Sequence, residues 1–271
     1  MSTGMHVLIV SVAAAVTIAV AMGLTARVAR AQGRVVVVDA AWGATFVALA
    51  LVAAVVAQAL DTGSSGRRWL VVGLVVIWGM RLANHMVDRL RSASAEDPRY
   101  VDLLGGKVGE IPWRRAVLKV FVLQGAVVAL ISLPVVAGTT LRTSADWPIA
   151  AGVAIWLLGL TFETVGDAQL RAYKADPNRG PVMDRGLWSW TRHPNYFGDA
   201  CVWWGIWLVG GSAAGWIAAL VTLPAPAAMT WFLVFGTGAR MTDRRMRGRP
   251  GWAEYEARTS MFVPLPPRTR G

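Results

Sequence analysis

The chain has little charge for its length and a single cysteine. Only 16% of its 271 residues are Asp, Glu, Lys or Arg, whereas 55% are hydrophobic; a soluble domain carries roughly 25% charged residues. The lone Cys201 excludes a disulfide framework within the chain. The sequence also has no glycine-rich phosphate loop and no Gly-x-Gly-x-x-Gly fingerprint, so any nucleotide would need another kind of scaffold. The composition indicates an integral membrane protein.

Long apolar runs divide the chain into candidate membrane spans. Seven stretches have roughly the 17–25 residues that a helix needs to cross the hydrocarbon core. They are residues 5–26, 36–59, 68–88, 115–137, 147–170, 195–210 and 215–239. The first resembles a signal segment, but no Lys or Arg precedes it, which favours a retained helix. The sequence thus predicts one all-α membrane-embedded domain over residues 1–271, with seven transmembrane helices.

Basic residues outnumber acidic ones, 27 against 16, and their distribution explains the excess. Most Lys and Arg residues fall in the connections after the first, third, fifth and seventh spans. Cytoplasmic connections of membrane proteins carry such an excess of positive charge. The pattern predicts an outside N-terminus, a cytoplasmic C-terminus and a multi-pass protein of the cytoplasmic membrane. It gives no reason to expect a nucleic-acid partner.

Polar side chains lie near the cytoplasmic ends of several predicted spans. Four pairs have i, i+4 spacing, which puts both members on one side of a helix. The pairs are Arg81 and His85, Glu163 and Asp167, Asn195 and Asp199, and Arg240 and Arg244. Ionisable groups inside a membrane are costly unless they have partners or face water. The one-sided arrangement predicts a shared, water-reachable cavity that opens towards the cytoplasm.

The chemistry of these groups favours a large anionic ligand that is rich in hydroxyl groups. Guanidinium groups suit phosphates, and acids and amides suit ribose hydroxyls or a carboxamide. The expected rim consists of Arg81, Arg99, Lys174, Arg179, Arg240 and Arg244, and the expected interior of Glu163, Asp167, Asn195 and Asp199. A nucleotide from the cytoplasm fits this description, with a lipophilic co-substrate entering from the membrane lipids. Two simpler interpretations stay open: the arginines of 240–249 could serve only as a topology signal, and Arg81 could form a structural ion pair.

One segment, Arg-His-Pro-Asn-Tyr-Phe-Gly-Asp at 192–199, preceded by Gly-Leu-Trp at 186–188, carries a family resemblance. It resembles the membrane-embedded steroid 5-alpha-reductase family, in particular the bacterial branch DUF1295. Further similar segments lie at 39–43, 96–100, 162–170 and 255–267. The resemblance covers nearly the whole chain and is strongest over 162–267. The Arg-His-Pro element is also similar to one in isoprenylcysteine and phospholipid methyltransferases, which bind S-adenosylmethionine.

The resemblance implies a seven-helix reductase that uses NADPH to reduce a carbon–carbon double bond conjugated to a ketone. The family's cofactor-contacting positions match Glu163, Asp167, Lys174, Asn195, Asp199, Arg240 and Arg244, with Arg81 and Arg99 from earlier spans. Asp199 stands where the steroid enzymes have Glu, and Arg244 where a His is usual. Asp39 is the nearest match to the catalytic acid, and Trp78 occupies the place of its Tyr partner. As the acid, Asp39 would have to be protonated, which burial among apolar neighbours favours.

Three functions follow, in order of preference. The first is NADPH-dependent reduction of a steroid-like or other enone lipid. The second is S-adenosylmethionine-dependent methylation, although a cationic sulfonium without phosphates fits an arginine-rich rim less well. The third is non-catalytic lipid binding or transport, which the confinement of charge to one leaflet half disfavours. No metal site is expected, because the three histidines are too few and too scattered to provide its ligands.

Overall fold

The computed structural model describes residues 1–92, 95–236 and 238–267. All regular secondary structure in these ranges is helical, which confirms the all-α part of the predicted fold class. The chain divides into two compact units. Unit 1 comprises Met1–Pro148 and Val209–Thr222, and unit 2 comprises Ile149–Leu208 and Leu223–Gly271.

Three long helices and several short ones form most of unit 1. The long helices are α1 (Thr3–Gln32), α2 (Val37–Ala59) and α3 (Ser65–Ser92). They are followed by α4 (Pro98–Leu104), α5 (Trp113–Ala116), a π-helical turn (Val117–Val122), α6 (Leu123–Ile131) and α7 (Leu133–Thr140). Helix α2 packs between α1 and α3, and α7 contacts all three.

The crossing of α2 and α3 is close because glycine faces glycine. A Cβ atom on Gly43 would lie 2.3 Å from the carbonyl oxygen of Gly79, so a larger residue would push the helices apart. Small residues at such crossings let membrane helices approach closely. Beside this crossing, the fully buried rings of Phe46 and Trp78 meet edge to face, 5.6 Å between centroids. Trp78 is therefore part of the core of unit 1.

Two buried arginines at the start of α3 join the ends of neighbouring helices. Arg68 donates through Nε to the carbonyl of Thr139 at 3.1 Å and through its other nitrogens to Gln58 and the carbonyl of Thr62. Arg67 donates to the carbonyl of Leu141. The last carbonyls of a helix have no partner within it. The two arginines therefore satisfy acceptors near the ends of α2 and α7.

The remaining helices follow in chain order. They are α8 (Trp147–Ala175), α9 (Leu187–Trp190), α10 (Pro194–Gly210), a 3₁₀ turn (Ser212–Ala214), α11 (Trp216–Thr222), α12 (Pro224–Val234), α13 (Ala239–Met246) and α14 (Trp252–Arg258). The 3₁₀ turn and α11 belong to unit 1, whereas α9, α12, α13 and α14 belong to unit 2. Helices α8 and α10 lie almost entirely in unit 2.

Glycines bring α8 and α10 together as an antiparallel pair in unit 2. A Cβ atom on Gly198 would lie 2.5 Å from the carbonyl oxygen of Gly159. A Cβ atom on Gly205 would lie 2.6 Å from the carbonyl oxygen of Gly152. Compared with the Gly159–Gly198 contact, the Gly152–Gly205 contact lies seven residues earlier along α8 and seven residues later along α10. The two helices therefore run in opposite directions. This pairing sets the last turns of α8 against the first turns of α10.

Several helices are long and apolar enough to cross a membrane. Five stretches of the described chain qualify: α1, α2, α3, α8 and Trp216–Met246. The pair Trp113–Ile131 and Leu133–Thr140, bent by 44°, would be a sixth. Prediction and structure agree on an all-helical protein with several helices long and apolar enough to span a membrane. The predicted span 195–210 forms α10, which has only 17 residues and is not among the five.

Candidate functional site

Asp39 in the first turn of α2 has two hydrogen-bond donors from α4. Its Oδ1 accepts the hydroxyl of Tyr100, and its Oδ2 accepts Nη2 of Arg99 at 3.1 Å. Arg99 also donates to Asp97, with Nη2 2.8 Å from Oδ2. The structure thus brings together two residues that the sequence proposed separately, Asp39 and Arg99. It adds Tyr100 as a hydrogen-bond partner of Asp39.

The segment before α4 explains how Tyr100 reaches Asp39. The carboxylate of Glu96 accepts the backbone N–H groups of Val35 at 2.6 Å and Val36 at 3.1 Å, so it satisfies donors at the start of α2. Asp97 then caps α4 by accepting the backbone N–H of Arg99 at 2.9 Å. Helix α4 is therefore anchored at the N-terminus of α2. Sequence reasoning singled out Glu-Asp-Pro-Arg-Tyr only as a family-like segment and did not pair its tyrosine with Asp39.

The surroundings of Asp97 and Tyr100 shift the pKa values of these two residues in opposite directions. Burial alone would raise the pKa of Asp97, but hydrogen bonds from Arg99 and the charges of Arg99 and Arg89 outweigh it and lower that pKa. Burial, followed by the charge and hydrogen bond of Asp39, raises the pKa of the Tyr100 hydroxyl. Tyr100 therefore keeps its proton, and Asp97 keeps its negative charge.

A cavity of about 360 Å³ lies beside Asp39 in unit 1. Its wall includes the charged residues Arg34, Asp39, Arg89, Glu96 and Asp97 and the apolar residues Val36, Met86, Leu90 and Pro98. Binding sites for small molecules combine apolar walls with a few polar groups in this way. Arg81 lies further back on α3, one turn before His85, and both side chains are half-buried.

The acidic and amide pairs that the sequence predicted meet in unit 2. Glu163 and Asp167 on α8 are 4% and 7% exposed. Asn195 on α10 donates through Nδ2 to Oδ1 of Asp167 at 3.3 Å, and Asp199 follows one turn later on the same helix. The structure thus places the four predicted interior residues at one helix pair. Buried acids at such a position favour a polar ligand or a firmly bonded network.

The start of α10 is tied to α13 by a buried cluster that sequence reasoning missed. Arg192 donates through Nη2 to Oδ2 of Asp243 at 2.8 Å and through Nη1 to the carbonyl of Thr259 at 2.7 Å. Nε2 of His193 lies 2.8 Å from Oδ1 of Asp243. Since these groups are nearly fully buried, they fix α13 and the C-terminal segment against α10. The sequence signal is the Arg-His-Pro element itself.

An arginine-walled cavity of about 310 Å³ lies against α13. Arg240, Arg244 and Arg247 line it, together with Arg192 and the carboxylates of Asp243 and Glu256. Asp243 is bonded to Arg192, and Glu256 lies 3.2 Å from Arg247. No carboxylate of the described residues forms an ion pair with Arg240 or Arg244. These two predicted cofactor residues therefore keep donors available for an anion.

Lys174, in the last turn of α8, and Arg179, in the loop after it, are both exposed. Arg179 donates through Nη1 to the carbonyl oxygen of Lys174 at 2.8 Å, and its guanidinium lies 6.0 Å from the ring of Tyr173. Lys174 and Arg179 thus lie close together, and neither lines the arginine-walled cavity.

Comparison with known proteins gives the family. No curated protein matches the chain. The sequence model of one family, described as a protein of unknown function (DUF1295), matches residues 26–259. The match covers most of the chain, including α4, the α8–α10 pair and the arginines of the arginine-walled cavity. It confirms the branch that the Arg-His-Pro segment indicated, and the chain belongs to the DUF1295 family.

Proposed function

We propose that the protein is a membrane-embedded, NADPH-dependent reductase of a carbon–carbon double bond conjugated to a ketone in a lipophilic substrate. The observation that carries this proposal is the arginine-walled cavity of unit 2. Arg240 and Arg244 line it and form no ion pair with a carboxylate of the described residues. Planar guanidinium groups are the side chains best suited to bidentate phosphate binding, and a dinucleotide phosphate carries several such acceptors.

The other groups of unit 2 fit the rest of a dinucleotide. Glu163, Asp167 and Asn195 offer oxygen and amide groups for ribose hydroxyls and a carboxamide. The bonds of Arg192 and His193 to Asp243 hold α13 at the beginning of α10, so the phosphate-binding and hydroxyl-binding groups share one framework. When bound, NADPH supplies the hydride for the reduction. The protein residues bind and orient it.

Unit 1 provides the acid. Asp39 lines the cavity of unit 1. Once its carboxylate has taken a proton from water, it is the group placed to donate that proton to the enolate oxygen of a carbonyl compound bound there. Tyr100 and Arg99 hold its two oxygens. We assign Asp39 the catalytic role, and Tyr100 and Arg99 positioning roles. The apolar walls of this cavity suit a lipophilic enone.

The membrane arrangement that accompanies this function has seven crossings, with the N-terminus outside and the C-terminus in the cytoplasm. Helix α10 spans about 25 Å at 1.5 Å per residue, which is close to the roughly 30 Å of a hydrocarbon core. Its antiparallel pairing with α8 supports a return across the same layer. The distribution of Lys and Arg supports the orientation and a place in the cytoplasmic membrane.

Binding of NADPH to the full chain, purified in a mild detergent, tests the proposal. We expect Arg244→Gln to weaken NADPH binding about tenfold or more, because it removes a phosphate donor. Arg245→Gln is the matched control, since Arg245 is the neighbouring exposed arginine of α13 and does not line the cavity. Glu163→Ala and Asn195→Ala should weaken binding as well. Thermal shift and tryptophan fluorescence both report the affinity.

The same titrations separate the competing functions. If S-adenosylmethionine stabilises the protein and NADPH does not, the chain is a methyltransferase of the isoprenylcysteine methyltransferase type. If neither binds, the lipid-binding or transport function takes its place. Equal NADPH affinity in Arg244→Gln and Arg245→Gln would remove the arginine-walled cavity from the cofactor site.

A further inference from the structure

Arg34 occupies a fixed position between α1 and α2. Gly33 ends α1 in the left-handed region, with φ of 66°, which glycine adopts without strain. The backbone N–H of Arg34 then donates to the carbonyl of Ala29 at 3.0 Å. The next residues, Val35 and Val36, donate their N–H groups to Glu96. Hydrogen bonds thus hold the backbone on both sides of Arg34, and they fix the position of its Cα atom.

Arg34 lines the cavity of unit 1, and one edge of its guanidinium lacks acceptors. Its Nε and Nη2 atoms are buried and have no hydrogen-bond partner among the described residues. These two nitrogens form one edge of the guanidinium, and that edge can hold two oxygens of a carboxylate or phosphate side by side. Buried donors without a partner are costly, so this edge favours a ligand that brings oxygen acceptors.

The carboxylates on the same cavity wall are already bonded to other groups. Asp39 accepts from Tyr100 and Arg99, Glu96 accepts from the backbone at the start of α2, and Asp97 accepts from Arg99 and Arg89. These three carboxylates therefore accept hydrogen bonds from groups other than Arg34, and none of the three forms an ion pair with Arg34. The two unpartnered nitrogens of Arg34 therefore still lack a hydrogen-bond acceptor.

We propose that Arg34 binds an oxyanion, a phosphate or a carboxylate, in the cavity of unit 1. The apolar side chains of Val36, Met86 and Leu90 on the same wall suit the hydrocarbon part of an amphiphile that carries this group. A phospholipid headgroup and a free anion from the cytoplasm share the chemistry. The inference does not depend on NADPH binding, since the cofactor residues of unit 2 take no part in it, but it concerns the same cavity as the proposed enone substrate.

Thermal unfolding of the full chain without NADPH tests this site. Sodium phosphate and sodium acetate are compared with sodium chloride at equal ionic strength in a neutral detergent. Nanodiscs of phosphatidylcholine, with and without phosphatidylglycerol, supply the lipid form of the group. The variants are Arg34→Gln, Arg34→Lys and the control Arg27→Gln, which removes the same charge from an exposed position of α1 that does not line the cavity.

We expect phosphate, acetate or phosphatidylglycerol to raise the melting temperature of the natural chain and of Arg27→Gln. Arg34→Gln should lose this effect, with an apparent affinity lower by about tenfold or more. Arg34→Lys should keep part of it, because lysine retains the charge but not the paired donors. Without an oxyanion, Arg34→Gln should unfold no earlier than the natural chain, since the buried edge makes no bond that the change removes.

The probes also identify the source of the group. Stabilisation by phosphate or acetate in detergent indicates a free anion, whereas stabilisation by phosphatidylglycerol alone indicates a lipid headgroup. The proposal is wrong if all three probes leave the natural chain unchanged, or if they stabilise Arg34→Gln as much as Arg27→Gln.

Discussion

The carboxylate of Asp39 depends on single hydrogen bonds that can be removed one at a time. Tyr100→Phe deletes the hydroxyl bonded to Oδ1 and leaves Arg99 on Oδ2. We expect a rate about tenfold to a hundredfold lower with an enone substrate and an unchanged KM for NADPH. Because the lost donor stabilises the carboxylate form, the midpoint of the pH–rate profile should move upwards.

Tyr255→Phe is the matched comparison for Tyr100→Phe. The Tyr255 hydroxyl donates to the carbonyl of Trp188 at 2.6 Å, a bond within the packing of unit 2. Its loss should cost about 1 kcal/mol of unfolding free energy without a change in the pH–rate profile. If both variants lower stability but neither moves the profile, Tyr100 has only a structural role.

Asp97 makes the stability of unit 1 depend on pH in the acid range. Its pKa lies below the ordinary value because bonds from Arg99 and the nearby charges outweigh burial, so the folded chain binds this proton less readily than the unfolded chain. The stabilisation is present above the unfolded value of about 3.9 and is lost as the pH falls further. Asp97→Asn should therefore lower the unfolding free energy by about 1 kcal/mol at neutral pH, and by less in acid.

Denaturation of Asp97→Asn and of Asp102→Asn across this acid range measures the effect. Asp102 is an exposed acid of the same helix, α4, and its replacement should change stability little at any pH. A difference for Asp97→Asn that stays constant from neutral to acid conditions would contradict the role of its charge.

Residue chemistry was predictable where it depends on type and spacing, and not where it depends on distant contacts. The pairs Glu163–Asp167 and Asn195–Asp199 follow from their i, i+4 spacing on apolar helices, and the structure sets them together. Tyr100 lies 61 residues from Asp39 in the sequence. No local sequence pattern predicts that contact, because it depends on how α4 packs against the start of α2.

Helix packing in unit 2 can be tested through its glycines. Gly198→Ala would put a Cβ atom 2.5 Å from the carbonyl oxygen of Gly159 and 2.7 Å from the backbone nitrogen of Glu163, and neither atom can move without its helix. We expect a loss of about 1–3 kcal/mol and weaker NADPH binding, since the acids of α8 and α10 would separate. Thermal unfolding and NADPH titration of the same preparation measure both effects.

Gly73→Ala is the control for this crossing. Gly73 lies within α3, and a Cβ atom there would meet nothing within 4 Å. Alanine is the better helix former by up to about 1 kcal/mol, so this variant should be as stable as the natural chain or more stable. Equal behaviour of the two variants would mean that α8 and α10 do not depend on close contact.

Long apolar helices were the most predictable elements, since length and hydropathy define them. The predicted spans 5–26, 36–59 and 68–88 lie within α1, α2 and α3, apart from one residue before α2. Breaks were less predictable. The predicted span 115–137 contains a π-helical turn and a bend of 44° between α6 and α7. Such breaks arise from packing against neighbouring helices, which hydropathy does not describe.

For the whole molecule, charge and hydropathy together predict the direction in which each helix crosses. Basic residues gather after alternate predicted spans, and this regularity requires α10 to cross the membrane. Its 17 residues are short for a crossing, whereas its antiparallel contacts with α8 support one. The position of the residues on either side of α10 therefore decides between six and seven crossings.

Single cysteines on either side of α10 measure this directly. In a Cys201→Ala background, we expect Asn178→Cys, in the exposed loop after α8, to react with an impermeant maleimide only after the cells are opened. Ser212→Cys, in the turn after α10, should react in intact cells, as should Ser144→Cys, because the Ser144 side chain bonds the carbonyl of Ala213 at 3.2 Å. If Asn178→Cys and Ser212→Cys react alike, α10 does not cross, and the alternation of charge on which the orientation depends fails at this helix.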